Sequence, residues 1–117
     1  MFSRLVMNRG ELYLVADPAG DPKKHRVFAI VSHQGLIDSR YPTVICAPVY
    51  SNGEGLPTQV AVGPSEGLKH ESWITCDNLA SIPKARLTRF VGALPRAKMR
   101  QLNNALIVAL DLPVHTE

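Results

Sequence analysis

Short apolar runs separated by turn residues, with helical periodicity only near the end, restrict what this sequence can fold into. Residues 11–16 (ELYLVA) are rich in strand formers and run into Asp17-Pro18, a turn signal. Residues 26–32 (RVFAIVS) are almost continuously apolar and β-branched, which predicts a buried strand. Tyr41-Pro42 breaks the chain, and 43–50 (TVICAPVY) predicts a strand with Pro48 at an edge or bulge. SNGEGLP and GPSEGL are loops by composition, and TQVAV between them (58–62) alternates as a half-exposed strand does. Residues 72–82 predict two strand segments around Asp77-Asn78, 83–87 one helical turn, and 88–94 a last strand. From Pro95 to about Leu110, the residues Met99, Leu102, Leu106, Ala109 and Leu110 recur on one helical face. Strands that do not alternate with helices argue against a parallel sheet. They predict a mainly β chain, a small and mostly antiparallel barrel with one terminal helix.

A chain of 117 residues suits one domain over 1–117. At 45% hydrophobic and 20% charged residues, it is ordinary for a globular fold and large enough to bury a core. The formal net charge of +3 permits a nucleic-acid partner without demanding one. The distribution says more: no acid occurs from Asn78 to Leu110, where Lys84, Arg86, Arg89, Arg96, Lys98 and Arg100 fall. Lys23, Lys24, His25 and Arg26 form a second basic cluster. Cys46 and Cys76 lie in strand-like apolar contexts without metal-ligand spacing, as buried thiols of a reducing compartment do. The opening MFSRLVM lacks a signal-peptide pattern, and no stretch has the length of a membrane span. A cytoplasmic location is expected, with recognisable structure beginning at Arg9 and Met7 as a candidate alternative start.

No His or Cys stands at ligand spacing from another, and HExxH, CxxC, GxGxxG, the P-loop and GxSxG are all absent. Neither metal nor cofactor is expected. Ser32-His33 is adjacent only in sequence, since neighbours on a strand point to opposite faces. What remains is a set at strand ends: Arg26 at a strand start, Tyr50-Ser51 at a strand end, and Asp77-Asn78 between strands. Each also has an ordinary structural role open to it. Arg26 can be a surface ion pair, Tyr50 a ring capping the core, and Asp77-Asn78 a turn bonding its own backbone.

In order, RGELYLV, a Gly/Pro loop, an Arg-led apolar strand, TVICAPVYS, LPTQV, CDNLASIPKARL, VGAL and a closing helix resemble the MazF/PemK family of toxin endoribonucleases. The similarity covers about residues 9–112. It implies an SH3-like barrel of the CcdB/PemK type that dimerises, cuts single-stranded RNA without a metal, and is blocked by a cognate antitoxin. The expected chemistry is attack of a ribose 2′-OH on the neighbouring phosphorus, giving a 2′,3′-cyclic phosphate and a 5′-OH. Arg26 aligns with the family's catalytic arginine, and its fork of donors suits phosphate oxygens. Asp77 matches the acid that some members use as a base. Lys23, Lys24, His25, Asn52, Asn78, Lys84 and Arg86 are candidates for RNA binding, although Lys84 and Arg86, with Arg89, can equally be a solvated face.

Departures stand beside these matches. Val27 replaces the usual proline after the catalytic arginine, and Thr75 stands where an arginine accompanies the acid. Tyr50 occupies the place of the family's catalytic Thr or Ser, and Ser51 follows it. Either hydroxyl can serve: a phenol donates and accepts hydrogen bonds, and a strand end can turn Ser51 toward the site. His25 is a candidate proton carrier. Two alternatives remain. One is a gyrase poison like CcdB, although the only tryptophan, Trp73, is internal rather than in a C-terminal tail. The other is a catalytically impaired relative that binds RNA or antitoxin, favoured by Tyr50.

Overall fold

The computed structural model describes residues 6–114. Its strands are β1 (Glu11–Val15), β2 (Arg26–Ile30), β3 (Thr43–Tyr50), β4 (Gln59–Val62), β5 (Ser72–Thr75), β6 (Ala80–Pro83) and β7 (Arg89–Ala93), and its helices α1 (Gln34–Asp38) and α2 (Arg96–Ala109). All strand pairs are antiparallel, in the order β4-β5-β3-β2-β1-β7, with β6 also on β3. The result is a curled half-barrel.

β3 is the axis of the curl. Its first half, Thr43 to Cys46, pairs with β6, and its end, Val49 and Tyr50, pairs with β5. Pro48 lies where one partner hands over to the other, and β3 is an interior strand. The edge position expected for Pro48 is therefore not what is found. A missing N–H is tolerated because the ladder is already interrupted there.

Two cores flank the sheet. Leu12, Ala29, Val49, Val60 and Ile74 join Leu102, Ala105 and Leu106 of α2 in the first. Tyr13, Ile30, Val44, Cys46, Ile82 and Leu87 join Met7 and Ile37 of α1 in the second. Alternate residues of β2 enter opposite cores, which explains why its sequence is a continuous apolar run. Cys46 and Cys76 are free and buried.

The barrel's open side is closed by packing rather than by a ladder. Gly67, with φ +95, ends the single turn Pro64–Glu66 and lies against the Val91 carbonyl, while Gly92 lies against that of Glu66. Lys98 of α2 donates to the Ala61 carbonyl on β4, tying helix to edge strand over 2.6 Å.

Three expectations change. Structure begins before Arg9: Met7 is buried, and Gln34 donates to its carbonyl while accepting from the Arg9 amide. α1 is additional; five residues containing Gly35 are too short to show a helical period. Leu110 caps α2 and is exposed, so the buried face of the helix runs through Leu102, Ala105 and Leu106.

Candidate active site

The loop before β2 is built from its own polar residues. Asp17 accepts from the Asp21 amide, and Asp21 accepts from the Lys23 amide, capping the single turn Pro22–Lys24. Lys23 and Lys24 are thereby held on an exposed turn that delivers the chain into Arg26.

Arg26 stands at the first position of β2, half-buried. Its Nη1 donates to the Val49 carbonyl at 3.2 Å, and its guanidinium carbon lies 4.4 Å from the centroid of the Tyr50 ring. The Tyr50 oxygen in turn accepts from Asn78 Nδ2 at 3.2 Å. Asp77, the neighbour of Asn78, is exposed and accepts from Thr58 Oγ1 at 2.6 Å. Four candidate residues are thus tied into one region: Arg26, Tyr50 and Asn78 directly, and Asp77 through its neighbour.

Register explains which hydroxyl accompanies the arginine. Phe28 faces Pro48, Ala29 faces Ala47 and Ile30 faces Cys46. Carried two steps beyond that ladder, the register sets Arg26 opposite Tyr50, in keeping with their ring contact, and one further step, past the strand ends, sets His25 opposite Ser51. Alternation then puts Arg26 with Tyr50 on one face and His25 with Ser51 on the other.

That second face borders a groove of about 430 Å³ lying between the β2 and β3 ends and residues 67–70. His25, Arg26 and Ser51 line it, and so do Lys69 and His70. Neither Lys69 nor His70 carries a signal in the sequence. They belong to a plain loop, and only the long-range packing of Gly67 on Val91 carries that loop across to Arg26. Trp73 carries no signal for the site either. It pairs with Tyr50 across β5 and β3, partly exposed, with Gly53 against its indole.

Asn52 is exposed in the loop after β3. Lys84 and Arg86 line neither the groove nor the Tyr50 face. Lys84 Nζ donates to the carbonyls of Leu36 and Ser39 at 2.9 and 2.8 Å, closing the C-terminus of α1. Arg86 donates to the Ala16 carbonyl at 2.6 Å. Both bind backbone, which is a structural task. Among the described residues no cluster of three His, Cys, Asp or Glu could hold a metal ion, and no helix is long and apolar enough to cross a membrane.

A curled antiparallel half-barrel with one terminal helix and an arginine at a strand start is an architecture shared with solved toxin endoribonucleases. The sequence profile of the PemK-like, MazF-like toxins of type II toxin–antitoxin systems matches residues 8–110, and the chain belongs to this family. It is 33% identical over 70 residues to the endoribonuclease MazF4 of Mycobacterium tuberculosis, across 60% of this chain. The chain spans 65% of the length of that relative. To the endoribonuclease MazF of Staphylococcus saprophyticus it is 30% identical over 112 residues, across 92% of this chain and 93% of the relative. A mycobacterial endoribonuclease solved in complex with its cognate antitoxin superposes with a TM-score of 0.76 at 27% identity, covering 94% of this chain and 98% of the other.

Proposed function

We propose that this protein is a homodimeric endoribonuclease that cuts single-stranded RNA without a metal ion and is held in check by a cognate antitoxin. The observation that carries the proposal is the fixed Arg26 guanidinium. One of an arginine's five N–H donors is used on Val49, and the ring of Tyr50 holds the plane of the group. The remaining donors are available to the non-bridging oxygens of a phosphodiester, where charge grows as the 2′-OH attacks.

Tyr50, rather than Ser51, is the hydroxyl at that phosphate. The phenol accepts from Asn78, which leaves its own proton free to donate. Asp77, oriented by Thr58, is the proposed acceptor for the 2′-OH proton. As the O2′–P bond forms and the P–O5′ bond breaks, the Tyr50 phenol passes its proton to the departing O5′, so the products are a 2′,3′-cyclic phosphate and a 5′-OH, and the proton held on Asp77 returns the pair to its starting state through solvent. Lys23 and Lys24, exposed beside the site, and His25, Asn52 and Asn78 are proposed RNA contacts. Lys84 and Arg86 are not.

Relatives of the family include an endoribonuclease bound to its antitoxin, which supports such a partner here. Val108, Leu110 and Leu112 are exposed apolar residues at the end of α2 and beyond, suitable for a contact between copies. An RNA substrate and two unpaired cysteines fit the cytoplasm. The test is incubation of purified protein with single-stranded RNA in excess chelator. Fragments ending in cyclic phosphate are expected, and a deoxyribose at the cut position abolishes the cut. RNA left intact in every sequence context tried would overturn the proposal.

A further inference from the structure

The groove beside Arg26 has a chemistry of its own. Its floor is the open end of the first core, formed by Val27, Val49, Leu68 and Val91, with Leu14 also lining the groove. Its rim carries His25, Arg26, Lys69 and His70 with the Ser51 hydroxyl, and no carboxylate is among the lining residues. An apolar floor takes the face of a nucleobase, and a cationic, hydroxyl-bearing rim takes its phosphate and its polar edge. About 430 Å³ falls in the range of pockets for small ligands and is small for an extended peptide.

We propose that this groove is a nucleotide subsite. It receives one nucleotide of the RNA strand whose scissile phosphate lies at Arg26, and Lys69 and His70 grip that nucleotide from the far wall. The proposal rests on the endoribonuclease function above. The strand register supplies the link between the two places. Arg26 and Tyr50 present one face of the β2–β3 end and His25 and Ser51 the other, with Arg26 on the rim of the groove. A strand crossing this end can leave its phosphate at Arg26 and lay the adjoining nucleotide in the groove. Specificity for the base beside the cut then resides partly in the loop between β4 and β5.

Two measurements test this. The first is the cleavage kinetics of a Lys69→Ala/His70→Ala variant; both side chains lie on the rim rather than in the core, so the fold is retained. KM for a short RNA rises about tenfold while kcat changes little, as loss of uniform binding requires. The salt slope of RNA binding falls by about 0.7 for each phosphate that is no longer neutralised. An unchanged KM and salt slope overturn the proposal.

The second is amide chemical-shift mapping with the four 5′-ribonucleoside monophosphates, which needs no cleavage. Shifts at Ser51, Lys69, His70 and Val91 support the subsite even if the protein cuts no RNA. Shifts confined to Trp73 and Asn78 overturn it. So does a groove that responds to an antitoxin peptide and to none of the nucleotides.

Discussion

The Arg26 guanidinium and the Tyr50 ring form a cross-strand cation–π pair, 4.4 Å from carbon to centroid. The ring orients the charge, and the phenol stands beside it, so the two functions can be separated by substitution. In Tyr50→Phe the ring remains and only the hydroxyl is removed; kcat is expected to fall about 10- to 100-fold with KM nearly unchanged. Tyr50→Ala also frees Arg26 and costs a further ~5-fold, the size of an exposed cation–π interaction. Ser51→Ala, on the opposite face, leaves kcat near the wild-type value. A full-rate Tyr50→Phe enzyme with a dead Ser51→Ala enzyme would reassign the hydroxyl.

Lys84 holds the last turn of α1 through two carbonyls. Lys84→Ala is expected to lower stability by about 1–2 kcal/mol, since it removes hydrogen bonds from a charged donor at a partly exposed position. Thermal denaturation reads this as a drop in Tm of several degrees. RNA affinity in the folded protein is expected to stay the same, against the assignment that its charge alone suggested.

The turn after β4 closes the barrel only because position 67 lacks a side chain. A methyl there would overlap the Val91 carbonyl on a backbone with φ +95. Gly67→Ala is therefore expected to destabilise by about 2–3 kcal/mol, combining overpacking with left-handed strain. Chemical denaturation measures the loss. A change below about 0.5 kcal/mol, typical of a tolerant surface site, would show that the turn does not close the barrel.

Burial pushes the Cys46 thiol from 9.0 to about 12, and burial followed by the Asp77 charge pushes Cys76 from 9.0 to about 11. The unfolded thiols lose their protons first, so between pH 9 and 11 the folded state binds more protons and stability falls as pH rises. The slope is at most ~1.4 kcal/mol per pH unit for each thiol. Cys46→Ala should flatten the profile, measured by denaturation at successive pH values. Below pH 9 the contribution is constant. Slow reaction of both thiols with a thiol reagent in the native state is the companion expectation.

Much of the fold is legible in the sequence because the strands are short and the punctuation strong. The Asp77-Asn78 break in 72–82 separates β5 from β6, and Pro95 precedes α2. α1 is not legible, since five residues around Gly35 carry no period and are held by long-range contacts: Gln34 on the Met7 carbonyl, Ile37 in the second core, and Lys84 on the Leu36 carbonyl. Within the candidate site, Arg26, Tyr50 and Asn78 are legible as strand-end residues, and their mutual contact is not. Tyr50 and Asn78, 28 positions apart, come together only through pairing of β3 with β5. Lys69 and His70 are out of reach for the same reason. Basic residues look alike in sequence, and only the fold shows that Lys84 and Arg86 bind backbone carbonyls away from the groove that Arg26 lines.

The central claim concerns one guanidinium, and single-turnover cleavage in excess chelator tests it most directly. With saturating enzyme and one defined RNA, Arg26→Ala is expected to slow the bond-breaking step about 10²- to 10³-fold, the effect of removing a donor from developing charge. Arg26→Lys should recover part of that rate. A rate for Arg26→Ala equal to the wild type, in a protein shown to be folded and bound to RNA, would contradict the mechanism.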